Sequence, residues 1–506
     1  MRSLHVRFVR FVGAVALALA LAACATPSGS SVTSVSIDGG DRTVVVDDSL
    51  TFTATVVTEG GASDAVTWES SDESVAGIDD AGSVTILTVG VLDVSATSTV
   101  DPSVRDTVTL TVDPLGVLAW TRQFGTGANE RAFGVATDAN GHVFVAGRTT
   151  GALDGPNAGG TDAFIRSYTR EGDLRWARQF GTSSADVATG VAIDANGNVY
   201  VVGNTAGALE GAGEGGLDVF IRSYDGDGER RWTRQFGTSS DDEALGVATD
   251  AHGNVYVTGI TSGALEGDGF SGLDGFVRSF DGDGVVRWTR QFGTTSGDRA
   301  FGVATDANGN VYVAGETFGA LEGTAAGGGD AFVRSYDGDG AHRWTRQFGT
   351  GSVDIARGVS TDASGNVYVT GFTEGALEGA SFGPIDAFVR SFDGDGVVRW
   401  TRQFGTGSED VALDVATDAS GNVYVAGRTG GALDGASAGG IDAFVRSFDS
   451  GGTLRWTRQF GTVSSDHAVG VAAGSSAEVY VVGYTNGALE GTSAGGEDAY
   501  VRVYGR

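Results

Sequence analysis

Cysteine is nearly absent from this 506-residue chain, Cys24 being the only one. A single thiol excludes disulfides and cysteine-based metal sites within the chain. Lysine is absent altogether, so all 33 basic side chains are arginines. The five histidines, His5, His142, His252, His342 and His467, share no position in the repeat described below and give a histidine metal or catalytic cluster little support. Basic charge is also short: 64 acidic residues leave a net charge of −31. Such a field repels phosphate backbones, so nucleic acid is not an expected partner. Its simplest role is solubility, although cations or a basic partner remain compatible with it.

Glycine is what the chain has in excess, 84 of 506 residues or about 17%, against roughly 7% in ordinary proteins. The glycines recur in register, as tight turns do, and 41% hydrophobic residues are enough for a substantial core. At the start, Arg2, Arg7 and Arg10 precede an apolar run from Phe11 to Leu21, too short to span a bilayer comfortably. The run ends in Leu21-Ala22-Ala23-Cys24, which resembles a bacterial lipobox. The resemblance implies a lipoprotein signal peptide over 1–23, cleavage before Cys24 and lipidation of its thiol, with 24–31 as the lipidated cysteine and tether. Two or more acyl chains anchor stably where one would not. Cleavage removes three arginines and no acid, taking the charge from −31 to −34. The expected address is therefore an exported lipoprotein, anchored to membrane at the envelope or cell surface.

Residues 32–113 alternate apolar and polar side chains in short runs, Leu50-Thr51-Phe52-Thr53-Ala54-Thr55-Val56 most clearly. About seven such strands suggest a small β-sandwich, with Trp68 in its core. The run Val66–Val75, the Asp-Asp-Ala-Gly turn at 79–82 and the closing Thr-Val pattern resemble a bacterial Ig-like domain of group 2. Such domains are commonly surface spacers or adhesion modules.

The rest is periodic. Trp120, Trp176, Trp232, Trp288, Trp344, Trp400 and Trp456 are each 56 residues apart. Each unit holds four strand-like runs, the composition of a propeller blade. The expected fold is all-β: a seven-bladed β-propeller over 117–506 with four-stranded blades, preceded by the Ig-like sandwich. The last unit stops after its third strand, and 117–124 supplies a fourth, which predicts three-plus-one closure with no exposed edge. The recurring Asp-x-x-Gly-Asn-Val-Tyr-Val-x-Gly-x-Thr, Gly-x-Asp-Ala-Phe-Val-Arg and Trp-Thr-Arg-Gln-Phe-Gly resemble the SBBP β-propeller repeat of bacterial and archaeal extracellular proteins. The resemblance implies an exported propeller and transfers no catalytic residues.

Tight hairpins join the first to the second and the third to the fourth strand, whereas the second-to-third link runs about a dozen residues, as from Phe318 to Gly329. That long loop shares a face with the link to the next unit, which ends each time in an acid: Glu130, Asp186, Asp242, Asp298, Asp354, Asp410 and Asp466. These seven are candidate carboxylates of a binding face, or caps for backbone amides and arginines. Phe270 and Phe382, at divergent loop tips, are candidate contacts or satellites of the core. No metal ligands are assigned. Calcium is a possible cofactor only through the Asp-Gly-Asp-Gly turns, but from Asp281 glycine falls at position 4 and Phe292 at position 12, which fails the EF-hand pattern. Ser464, Ser465, Asp466 and His467 occur together in one unit only and make no triad by adjacency.

These observations favour a monomeric, lipid-anchored binding or scaffold protein that presents a non-catalytic propeller to a protein or polysaccharide. The alternative is an envelope enzyme acting on glycans with carboxylates of the long-loop face. Near-identical blades disfavour it, because catalysis needs an asymmetric constellation.

Overall fold

The computed structural model describes residues 30–45, 50–211, 213–267, 272–475 and 478–505, and divides into units within Met1–Pro114 and Leu115–Arg506. The signal peptide and Cys24 lie outside the described residues. All regular elements among those described are strands.

In the first unit Ser31–Ile37 pairs antiparallel with Ala54–Glu59. A four-stranded sheet orders Arg42–Val45, Arg105–Asp113, Gly90–Ser98 and Val66–Ser70, while Leu50–Thr51, Ser83–Ile86 and Ala76–Ile78 form another. Strand alternation turns Val35, Ile37, Leu92, Val94, Ala96 and Leu110 into one core. Trp68 packs against that core, 6.2 Å from the Phe52 ring, but is half-buried rather than central. The reason is its strand: Val66–Ser70 is the edge of its sheet.

The second unit holds seven four-stranded sheets among the described residues, arranged as in a propeller. One sheet explains the rest: Asp298–Thr305, Val311–Thr317, Asp330–Tyr336 and His342–Phe348 pair in chain order, all antiparallel. The second strand is buried along its whole length, since a neighbouring sheet covers each face. At the first hairpin, Asp306 Oδ1 accepts the N–H groups of Asn308 and Asn310. Its Oδ2 accepts the Tyr312 hydroxyl at 2.9 Å and the Asn310 amide at 2.8 Å. One carboxylate thus shapes the turn and satisfies a fully buried tyrosine.

The 56-residue period has a mechanical basis. Trp288 donates its indole N–H to Gly338 O of the next sheet at 3.0 Å, and Arg290 Nε donates to Gly340 O at 2.7 Å. Gly340 has φ +81°, and a Cβ there would stand 2.6 Å from the indole. Each outer strand therefore grips the following hairpin, and glycine is what lets the indole lie flat on it. The long loop is held equally firmly. Gln347 Oε1 accepts Leu321 N–H and Glu322 N–H, and its Nε2 donates to Gly319 O and Asp330 Oδ2.

The last sheet takes its outer strand from the start of the unit. Leu118–Phe124 pairs antiparallel with Asp498–Gly505. Gln123 in that strand makes the same loop contacts, to Leu489, Glu490, Gly487 and Asp498. Glu130–Thr137 packs on both Asp186–Ile193 and Asp466–Ala473, so the first and last inner strands are neighbours. At the joint, Leu115 and Gly116 stand in for a hairpin: Arg458 donates to both carbonyls, and Gly116 lies against Trp456.

Candidate functional site

Glu130, Asp186, Asp242, Asp298, Asp354, Asp410 and Asp466 begin the seven inner strands, and all are fully buried. Asp298 illustrates their bonding: Oδ2 accepts the N–H of Thr294 at 2.7 Å and its hydroxyl at 3.0 Å, four residues back. Thr126, Thr182, Thr238, Thr350, Thr406 and Thr462 make the same pair of contacts to the other six. Burial raises the carboxyls of Asp298, Asp354, Asp410 and Asp466 above their ordinary value, the hydrogen bonds oppose it, and the third-strand carboxylates Asp274, Asp330, Asp386 and Asp442 add to it. An acid in every sheet thus ties down the link every sheet requires. The bonded oxygens belong to the framework, and the seven buried carboxylates offer a ligand no accessible surface.

The remaining sequence candidates are placed as follows. Phe382 is 56% exposed at its loop tip, while its N–H donates to Asp386. Phe270 lies outside the described residues. In the Asp-Gly-Asp-Gly turns the first aspartate is occupied: Asp281 Oδ1 accepts the N–H of Asp283 and Val285. Among the described residues no three His, Cys, Asp or Glu side chains converge as a metal site would require. His467 stacks on Tyr484 at 4.6 Å. Burial first, and then the charges of Arg428 and Arg131, hold its imidazole down near 4.

A different set of residues comes together at the axis. Every inner strand carries a β-bulge at the same place, between the alanine of its acid-x-Ala-x-Gly run and the glycine that follows, a glycine replaced by Asp414 in one strand. The extra residue is Phe133, Thr189, Leu245, Phe301, Arg357, Leu413 or Val469. All seven line one cavity of about 710 Å3. A bulge leaves one residue unpaired and re-aims its side chain, so the seven sheets deliver seven side chains of five kinds to a shared space. Beside them lies a second set of non-repeating positions, cross-strand pairs such as Arg131 with Arg148, Arg299 with Glu316, Val411 with Arg428 and His467 with Tyr484.

The chemistry of this channel is uneven. Phenylalanine, leucine and valine supply most of its wall, with Thr189, Asn204, Glu243, Arg357 and Asp414 as its polar groups. Asp414 stands where the other six inner strands have glycine. Its carboxylate accepts Val415 N–H and, across to the next sheet, Val471 N–H, each at 2.9 Å. Burial nonetheless pushes it up to about 7. Glu243 is raised as well, by burial and then by Asp241, with Arg299 opposing. None of the bulge residues belongs to a motif that marks it in the sequence. The signal was present as variation: within acid-x-Ala-x-Gly the two x positions change from unit to unit, while the alanine is constant and the acid and glycine nearly so, Glu130 and Asp414 being the departures.

Residues 175–209, 231–265, 287–321, 343–377 and 399–433 match the SBBP beta-propeller repeat, and residues 31–108 match the bacterial Ig-like domain (group 2). Regulatory protein FlaEY of Caulobacter vibrioides is 26% identical over 409 residues, which cover 69% of this chain and 41% of that protein. The uncharacterized WD repeat-containing protein L264 of Acanthamoeba polyphaga mimivirus is 22% identical over 236 residues, 36% of this chain and 17% of that one. The chain therefore spans less than half the length of either relative. Among solved structures, the Neurospora crassa Pan2 WD40 domain aligns with TM-score 0.42 at 12% identity, covering 74% of this chain and 88% of that one. The chain is thus a β-propeller repeat protein that carries SBBP repeats behind a bacterial Ig-like domain of group 2.

Proposed function

We propose that this is a lipid-anchored, extracytoplasmic binding or scaffold protein, its repeats closed into a ring of seven blades. The channel and long-loop end of that ring contact a protein or polysaccharide without turning it over. One observation carries the reading, a division of labour among side chains. The acids, glutamines and most tryptophans that recur in every unit are spent on hydrogen bonds within the framework. The residues that differ between units gather in the channel. A rigid frame with an asymmetric lining is what recognition requires. Ring closure is supported by the pairing of Leu118–Phe124 with Asp498–Gly505 and by the packing of the first inner strand on the last. FlaEY is named a regulatory protein, which accords with action through contacts.

A glycan array and a protein pull-down with the 25–506 fragment test this. Saturable retention of an unmodified glycan or protein is expected. Turnover of an arrayed glycan, abolished by one carboxylate substitution, would replace the reading with that of a glycan-active enzyme.

A further inference from the structure

The channel collects positive charge in a chain whose net charge is −31. Arg357 lines the cavity itself, and Arg131, Arg148, Arg299 and Arg428 occupy the second variable set beside the bulges, Arg428 on a second, smaller pocket with Ser408, Glu409, Gly430 and Ile441. Arg131 is paired with Glu497, and Arg299 with Glu316. Among the described residues Arg148, Arg357 and Arg428 have no hydrogen-bonding acceptor. Arg357 is the most exceptional. It is the extra residue of a bulge, its guanidinium lies 4.2 Å from the Phe301 ring centre and 5.9 Å from that of Phe372, and its Nε is buried with no partner. The Nε–H is a buried donor left unmet, which is costly unless something else fills it.

The neighbours define how far the positive region reaches. Burial lowers Arg357, and the charges of Arg299 and Arg428 lower it further, with Glu316 opposing. Arg428 and Arg131 both act on His467, and Arg131 also acts on Arg148. Guanidinium groups thus stand in the sheets of Arg357, Arg428 and Arg131, with the imidazole of His467 between the last two. The cavity lining holds two acids, Asp414 and Glu243, and burial raises the carboxyls of both, Asp414 to about 7. Apart from Thr189 and Asn204 the rest of the wall is apolar, with Phe133, Phe301 and Leu413 opening on the same space.

We propose that the channel is a binding site for a small organic anion, whose carboxylate or phosphate-ester head is held by Arg357 with Arg428 beside it and whose apolar body packs on Phe133, Phe301 and Leu413. The inference rests on the binding role above and names the ligand class of the same site. A planar guanidinium presents paired donors that match two oxygens of such a head. An aromatic ring stacked against it holds the fork without competing for its donors. A cavity of about 710 Å3 lies within the range for small-molecule pockets.

Naphthoate and naphthyl phosphate serve as probes, with naphthol and inorganic phosphate as the body-only and head-only controls. Titration calorimetry on the purified protein is expected to give one saturable site per chain for at least one naphthyl anion, with both controls at least tenfold weaker. The tighter of the two anions identifies the head group. Arg357→Met is expected to weaken that anion tenfold or more while raising the melting temperature, because an unpaired half-buried charge is replaced by an apolar chain. Arg428→Gln, at a half-buried position, should weaken it severalfold and repeats the test if Arg357→Met misfolds. Arg230→Gln, on an exposed outer strand, should leave binding unchanged. Absence of saturation by either anion, or parental affinity in folded Arg357→Met or Arg428→Gln, would overturn the proposal. Retention of a glycan or protein by a chain that binds neither probe would overturn the anion site and leave the binding role standing.

Discussion

Asp414 shows how one residue can alter a repeated frame. In the other sheets the glycine at this place allows inner strands to approach backbone to backbone: a Cβ on Gly134 would lie 3.0 Å from Gly190 Cα. Asp414 places a carboxylate in that seam and raises it to about 7, against an ordinary value of 3.8. Between those values the native state keeps a proton that the unfolded chain has released, so this group costs stability as pH rises through the interval. His467 acts in the opposite sense. Its pKa falls from 6.5 to about 4, so it withdraws stability as pH falls through that range. Asp414→Gly, which restores the residue of the other sheets, should therefore melt above the parent by a margin that is smallest near pH 4, widens toward pH 7 and then levels. The final margin is on the order of a few degrees. Melting curves across this range check it, and a margin independent of pH would refute the titration.

Among the elements, the four strands per unit and both hairpins were legible from the sequence, because alternation and Asn-Gly or Asp-Gly turns are local signals. So was the strand at 117–124. Its Trp-Thr-Arg-Gln-Phe run equals the fourth strand of other units, and it indeed pairs with Asp498–Gly505. The bulge was not legible, because it depends on which residue of the partner strand is skipped. Ala132 faces Gly147 and Gly134 faces Ala146, leaving Phe133 over. The acids at the strand starts were legible as a ring of positions but not as to environment. Only the folded loops bring Thr294 N–H onto Asp298 and close it from water. Deleting 117–124 should expose the edge of Asp498–Gly505, remove the Gln123 clamp and cost several kcal/mol. At roughly 2 °C per kcal/mol for a large unit, melting falls by on the order of 10 °C, with aggregation from the bare edge. An unchanged melting temperature would sink the closed ring.

At the scale of the molecule the joint and the address matter most. Threonine hydroxyls link successive inner strands at the hairpin end of the channel: Thr305 bonds Thr249 O, Thr361 bonds Thr305 O and Thr417 bonds Thr361 O, at 2.7 to 2.8 Å. Ile193 and Ala473 interrupt that series, Ala473 in the sheet that takes its outer strand from 118–124. The proposed address rests on one thiol. A Cys24→Ser chain should appear in the soluble fraction of lysed cells where the parent sediments with membrane; continued sedimentation would refute anchoring through that residue.

By itself the sequence determined the all-β class, the period, the strand content of each unit and the acidic charge, because each follows from local pattern or from counting. The chemistry of the axis was decided only by tertiary structure. A repeat seen as a line places its x residues between an alanine and a glycine with nothing to mark them. Pairing with the second strand leaves one of them over, and the arrangement of successive sheets brings all seven to one cavity, an arginine without an acceptor among them. The same arrangement buried the seven acids that the linear pattern left open as binding-face carboxylates or as caps. Burial and bulge are properties of neighbours brought close by folding, and neighbours 56 residues apart do not appear in any local stretch of chain.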